Sequence, residues 1–124
     1  GVVRVTHAFL PLLQRSSAPV VVNVSSSLGS LNLAGSPESP NYHYPGVAYP
    51  ASKSALNMIT VQFAKQFPGI RINAVEPGYT ITDLNGRTGT QTVEEGARII
   101  VEMAHTPPDG RTRGHCSPHV ATPC

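Results

Sequence analysis

The chain has 124 residues, of which 40% are apolar and 13% charged, and a formal charge of +2. That length suits one small domain with a modest core. The low charge, with no basic stripe carrying interleaved aromatics, argues against nucleic-acid binding, and no apolar run approaches a membrane span. Cys116 and Cys124 are the two cysteines, both near the end. A secreted disulfide scaffold would need more of them, spread through the fold, so the pattern suits a reducing cytoplasm. Glycine and proline, 11 and 12 residues, cluster in 29–46, 68–89 and 106–124 and mark loops and a tail. The chain opens on Gly1 and enters a helical pattern at once, as an internal cut would, so upstream residues are expected.

In residues 2–14, Val2, Val5, Ala8, Phe9, Leu12 and Leu13 recur at steps of three and four, which predicts a helix with one buried face. Pro11 removes a backbone donor and should bend it. Val20-Val21-Val22-Asn23-Val24 is a β-branched run without alternation, suited to a parallel strand buried on both faces. Residues 25–46 are rich in Ser, Gly, Pro and Asn and predict a long loop, a feature often tied to function. A second helix is expected over 47–66, with Ala48, Ala51, Ala55, Leu56, Ile59, Phe63 and Phe67 available for burial. Pro50 fits its first turn, and Pro68-Gly69 ends it.

Ile70-Arg71-Ile72-Asn73-Ala74-Val75 predicts the next strand. A Gly/Thr-rich loop follows over 76–91. Thr92-Val93-Glu94-Glu95 is a capping box that opens a helix to about His105, buried on Ala97, Ile100, Val101 and Ala104. Helices alternating with strands predict α/β crossovers and a parallel sheet.

Tyr49 and Lys53 are four residues apart, so they project from one helix face. An ammonium beside a phenol favours the phenolate and makes the phenol a usable proton donor or acceptor. Ser25, Ser26 and Ser27 follow the first strand, and Pro77-Gly78 follows the second. In parallel sheets, ligands bind beyond the carboxyl ends of strands. A hydroxyl there can hold a substrate oxygen, although a serine-rich turn is the plainer explanation of the triplet taken alone. The joint order is more informative: strand then Ser, helix with Tyr and Lys, strand then Pro-Gly.

Asn23-Val24-Ser25-Ser26, Tyr49-Pro50-Ala51-Ser52-Lys53 with Ser54-Ala55-Leu56-Asn57, and Asn73-Ala74-Val75-Glu76-Pro77-Gly78-Tyr79-Thr80-Ile81-Thr82 resemble successive motifs of the short-chain dehydrogenase/reductase family. They look most like bacterial carbonyl-reductase-like members. The resemblance covers residues 1 to about 110 and implies the C-terminal part of a doubly wound, Rossmann-like parallel sheet, without its N-terminal nucleotide-binding half. It implies Ser26 as the catalytic serine, ahead of Ser25. It makes Tyr49 the acid/base and a cofactor-binding residue, and Lys53 the residue that tunes it and holds the nicotinamide ribose. Pro77, Gly78 and Thr82 would line the nicotinamide of NAD(P), with NADPH the form expected. The implied reaction is hydride transfer between NAD(P) and a carbonyl or alcohol. The resemblance further implies a homo-oligomer formed through the helices at 2–14 and 47–66.

Three departures stand beside it. No G-x-x-x-G-x-G or G-x-G-x-x-G occurs in the chain. The family's catalytic Asn would fall just before Gly1. Residues 111–124 diverge from the family's apolar last strand and are expected to form a disordered tail, with a reading-frame change as one origin. His115, Cys116, His119 and Cys124 are metal-ligand types, but their spacing matches no zinc pattern, and no metal is expected. The expectation is therefore a fragment of an oxidoreductase, inactive alone. The alternative is a truncated, non-catalytic remnant that self-associates or binds a partner.

Overall fold

The computed structural model describes residues 1–107, 109, 110, 112 and 114–116. Helix α1 (Val2–Leu13) leads to strand β1 (Val20–Val24). The segment 25–46 is more structured than a plain loop. It holds 3₁₀ turns at Ser27–Gly29 and Pro40–His43 and a short helix α2 (Leu31–Gly35), each started by a serine side chain that accepts a backbone N–H. Helix α3 (Ala48–Gln66), strand β2 (Arg71–Val75), helix α4 (Val93–Ala104) and a short strand β3 (His115–Cys116) complete the order.

The strands form one parallel sheet in the order β1-β2-β3. Val20 lies opposite Arg71 and Val24 opposite Val75. Because side chains alternate along a strand, β2 feeds two layers. Ile70 and Ile72 pack with Leu10 and Ala64 against α1 and α3, joined by Val21, Phe63 and Phe67. Val75 packs on the other face with Met103, Val22, Ile99 and Ile100. All five β2 residues are buried, and their polar members are paired. The Arg71 guanidinium donates to the carbonyls of Thr106 and Pro19, and Asn73 Oδ1 accepts from Gly114 N at 3.2 Å.

Several burial expectations shift. On α1 the fully buried residues are Thr6 and Leu10, while Val5, Phe9 and Leu12 are more than half exposed. The helix turns its 6/10 stripe to the sheet, and no element among the described residues covers the opposite stripe. On α3, Ala48, Ala51 and Ala55 face solvent, and Leu56, Thr60 and Ala64 are buried. On α4 the buried residues are Gly96 and Met103, with Val101 and Ala104 exposed. β1 is only half-buried, because among the described residues it has a strand neighbour on one side only.

The tail also differs from expectation at its start. His115–Cys116 pair with Ala74 and Val75, and Ile72 N donates to Thr112 Oγ1 at 3.1 Å. The far edge of a buried β2 carries amides and carbonyls that need partners, and backbone pairing supplies them without aliphatic side chains. Residues 117–124, including His119 and Cys124, lie outside the described residues, as do Arg111 and Arg113.

Candidate active site at the carboxyl edge of the sheet

β1 ends in an extended segment that sends neighbouring side chains to opposite sides. Asn23 Nδ2 donates to Thr60 Oγ1 on α3 at 2.9 Å. Ser25 is buried, 3% exposed, and its hydroxyl donates to Asn57 Oδ1 at 2.5 Å. Ser26 has extended backbone (φ −159°, ψ 149°), and its hydroxyl oxygen accepts from Leu28 N at 3.2 Å. It lines an open cleft of about 770 Å³. The structure thus separates the two adjacent serines, one tied into α3 and one presented to the cleft.

Tyr49 lies in the first turn of α3, 46% exposed, and lines the same cleft. Lys53 follows one turn later. Its Nζ sits 5.5 Å from the Tyr49 ring centroid and donates to the Val24 carbonyl at 2.9 Å. It does not line the cleft but stands behind Tyr49. An ammonium has three donors, so the bond to Val24 leaves capacity for a further acceptor such as a ribose hydroxyl.

The cleft's other wall is the loop after β2. Pro77, Gly78 and Thr82 all line it. Gly78 has φ +85°, a region only glycine enters freely. The loop is braced from within. Gln91 Nε2 donates to Thr80 Oγ1 at 3.0 Å and to the Pro77 carbonyl. Asn85 Nδ2 donates to the Thr80 carbonyl at 2.8 Å, while its Oδ1 accepts from Thr82 N at 3.2 Å. Gly96 of α4 passes so close that an added Cβ would lie 2.4 Å from Thr80 Oγ1.

In the segment before α3, His43 and Tyr44 line the cleft and Tyr42 does not. The Tyr44 ring lies 6.5 Å from that of Tyr49 and rests over Gly46, where any Cβ would meet it at 2.5 Å. Leu28, Pro45, Tyr79 and Leu84 add apolar wall. The sequence motifs assign no role to these four, nor to the bracing residues Asn57, Asn85 and Gln91, although Tyr79 and Asn57 lie within them. Their roles depend on contacts across the fold, which no local pattern announces. The one local signal is the run that follows Pro77-Gly78, where polar loop residues alternate with Tyr79 and Ile81.

The arrangement defines a parallel α/β domain whose polar groups converge beyond the carboxyl ends of adjacent strands. The family model for short chain dehydrogenase matches residues 1–93. Among curated proteins the chain is 36% identical to (+)-neomenthol dehydrogenase of Capsicum annuum, over 89% of this chain and 46% of that protein. It is 34% identical to salutaridine reductase of Papaver bracteatum, over 89% and 46%. The solved structure of salutaridine reductase from Papaver somniferum superimposes with a TM-score of 0.79 at 31% identity, over 92% of this chain and 50% of that one. The chain belongs to the short-chain dehydrogenase family. It spans about half the length of these relatives, which are plant proteins.

Proposed function

We propose that this chain is the substrate-side part of an NAD(P)-dependent reductase of carbonyl compounds, able to run in reverse on alcohols. One observation carries the reading: Ser26, Tyr49, Pro77, Gly78 and Thr82, from three separate segments, line one cleft, with Lys53 directly behind Tyr49. The residues present fit the nicotinamide end of the cofactor, because the Lys53 ammonium beside Tyr49 and, on the other wall, the Thr82 hydroxyl and the Pro77-Gly78 turn offer donors and a close-approach surface. When bound, NAD(P)H supplies the hydride. Ser26 would hold the carbonyl oxygen and stabilise charge that builds on it. The Tyr49 phenol would donate the proton to that oxygen, and the Lys53 ammonium would stabilise the phenolate left behind. NADPH is the form proposed, with a cytoplasmic setting and self-association through α1 and α3.

The apolar walls from Leu28, Tyr44, Tyr79 and Leu84 suit a substrate with large apolar surface, in keeping with relatives named for neomenthol and salutaridine. A second reading is a truncated, non-catalytic remnant that self-associates or binds a partner. Turnover by the full-length wild type decides between them, and Tyr49→Phe tests the acid. Loss of the proton donor should lower turnover by about 100- to 10,000-fold, with NADPH affinity unchanged. Full activity of that variant would overturn the assignment of the acid, and an inactive full-length wild type would favour the remnant.

A further inference from the structure

The Ser26 turn and the Tyr49 helix are locked to each other by a polar clamp that lies outside the cleft. Ser25 Oγ donates to Asn57 Oδ1 at 2.5 Å. Asn57 Nδ2 reaches the Gly29 carbonyl at 3.4 Å, and Ser54 Oγ donates to that carbonyl at 2.8 Å. Gly29 itself is buried, and a Cβ there would lie 2.7 Å from the Lys53 backbone carbon and 2.9 Å from Ser54 N. The 3₁₀ turn of Ser27–Gly29 is therefore pressed onto α3 within a turn of Tyr49. Ser26 sits between the two anchored points, Ser25 on one side and Gly29 on the other.

We propose that Asn57, with Ser25 and Gly29, is a positioning residue that sets the separation of the Ser26 and Tyr49 hydroxyls. The inference rests on the reading of those two residues as the substrate-facing pair. Asn57 suits the task because its amide uses both ends, accepting from Ser25 and donating to Gly29, so it measures the gap between β1's end and the following turn. A hydroxyl or an aliphatic side chain at 57 lacks that reach and polarity. Burial of Ser25 makes the bond costly to leave unmade, which favours one arrangement over a range of them. The adjacent serines thus divide the work: Ser25 holds the frame and Ser26 meets the substrate.

A double-mutant cycle in the full-length protein tests this. Asn57→Ala should lower kcat by roughly ten- to a hundred-fold, the scale of an ångström-sized misplacement, with NADPH affinity and KM little changed. In the Ser26→Ala background the same substitution should cost nothing further, because Asn57 acts through Ser26. Losses that multiply would show a merely structural role and overturn the proposal, as would an undiminished kcat in Asn57→Ala. If Asn57→Ala does not accumulate in folded form, Ser54→Ala enters the same cycle. It removes one bond to the Gly29 carbonyl while Ser25 stays paired, and it should show a smaller loss with the same dependence on Ser26. Full activity of Ser26→Ala would instead remove the reading beneath the proposal, a result distinct from failure of the clamp.

Discussion

The two flanks of β1 are finished to different degrees. Its carboxyl end is tied into α3 by Asn23, Val24 and Ser25, each with a bond of 2.9 Å or shorter. Its free long edge has no strand beside it among the described residues, and Val24 is 43% exposed. The outer stripe of α1 is equally open, with Val5 at 58%, Phe9 at 55% and Leu12 at 54% exposure. The contrast separates a locally braced end of the strand from surfaces that lack burial. A cleft can be shaped by local polar bonds, whereas cofactor anchoring and an apolar sheet edge need further surface.

The largest consequence is for the cofactor. No Gly-rich turn occurs in these 124 residues, so no amide cradle for the pyrophosphate is recognisable, and Lys53 with the Pro77–Thr82 loop would meet only the nicotinamide end. Positioning of reactants is worth roughly 7–11 kcal/mol of barrier. The isolated 124-residue chain should therefore show neither NAD(P)H binding by calorimetry nor turnover of a ketone panel. Tight NADPH binding by it would erase the contrast between a finished cleft and unfinished anchoring.

The next effect sets the buried face of the sheet against the outer stripe. Ile72 of β2, fully buried beneath the α1/α3 layer, should lose about 2–5 kcal/mol of stability as Ile72→Ala. Phe9→Glu on the open stripe of α1 should shift denaturant stability little, within about 0.5 kcal/mol for a surface site. Its effect should fall on association instead. An uncovered apolar helix face and a bare strand edge both favour self-association. The wild-type chain should form oligomers at high concentration by light scattering, and Phe9→Glu should reduce them. A wild-type chain that stays monomeric would break the comparison on this side.

Element order was legible in the sequence because hydrophobic periodicity and the Pro-Gly punctuation are local signals. Helix α4 was legible to its cap, where Thr92 and Glu95 form the expected reciprocal pair. The faces were less legible. Val5, Phe9 and Leu12 have the spacing of a buried stripe, yet Thr6 and Leu10 are the residues that reach the sheet. Periodicity identifies an apolar stripe but not what covers it. The same holds for the site. The cleft brings together Ser26, Tyr49, Pro77, Gly78 and Thr82, which sequence motifs pointed to, and leaves Lys53 behind Tyr49. Asn57 and Gln91 act across gaps of 32 and 14 residues to Ser25 and Pro77, beyond any local pattern.

The smallest effect is a pH-dependent one at the start of α4. Thr92 N donates to Glu95 Oε2 at 2.8 Å, and Glu95 N donates to Thr92 Oγ1 at 3.2 Å. The bond from the Thr92 amide, followed by the Thr92 side chain, holds the Glu95 carboxyl below the usual value of 4.5. A carboxyl with a lowered folded pKa adds stability that is present above its unfolded pKa and is lost as pH falls through the folded one. The Glu95 contribution should thus be whole at neutral pH and fade below about pH 4.5. Glu38 is lowered in the same direction, chiefly by the Ser36 hydroxyl, so the pH curve of the wild type alone mixes two groups. The difference between wild type and Glu95→Gln isolates one of them. Gln keeps an acceptor oxygen but carries no charge for the helix N-terminus to favour. The two proteins should differ in denaturant midpoint at pH 7 and converge toward pH 3. Thr92→Ala, which removes the other half of the box, should cost about 1 kcal/mol. A Glu95→Gln difference that stayed constant from pH 7 to pH 3 would show that the carboxylate's charge contributes nothing to the cap.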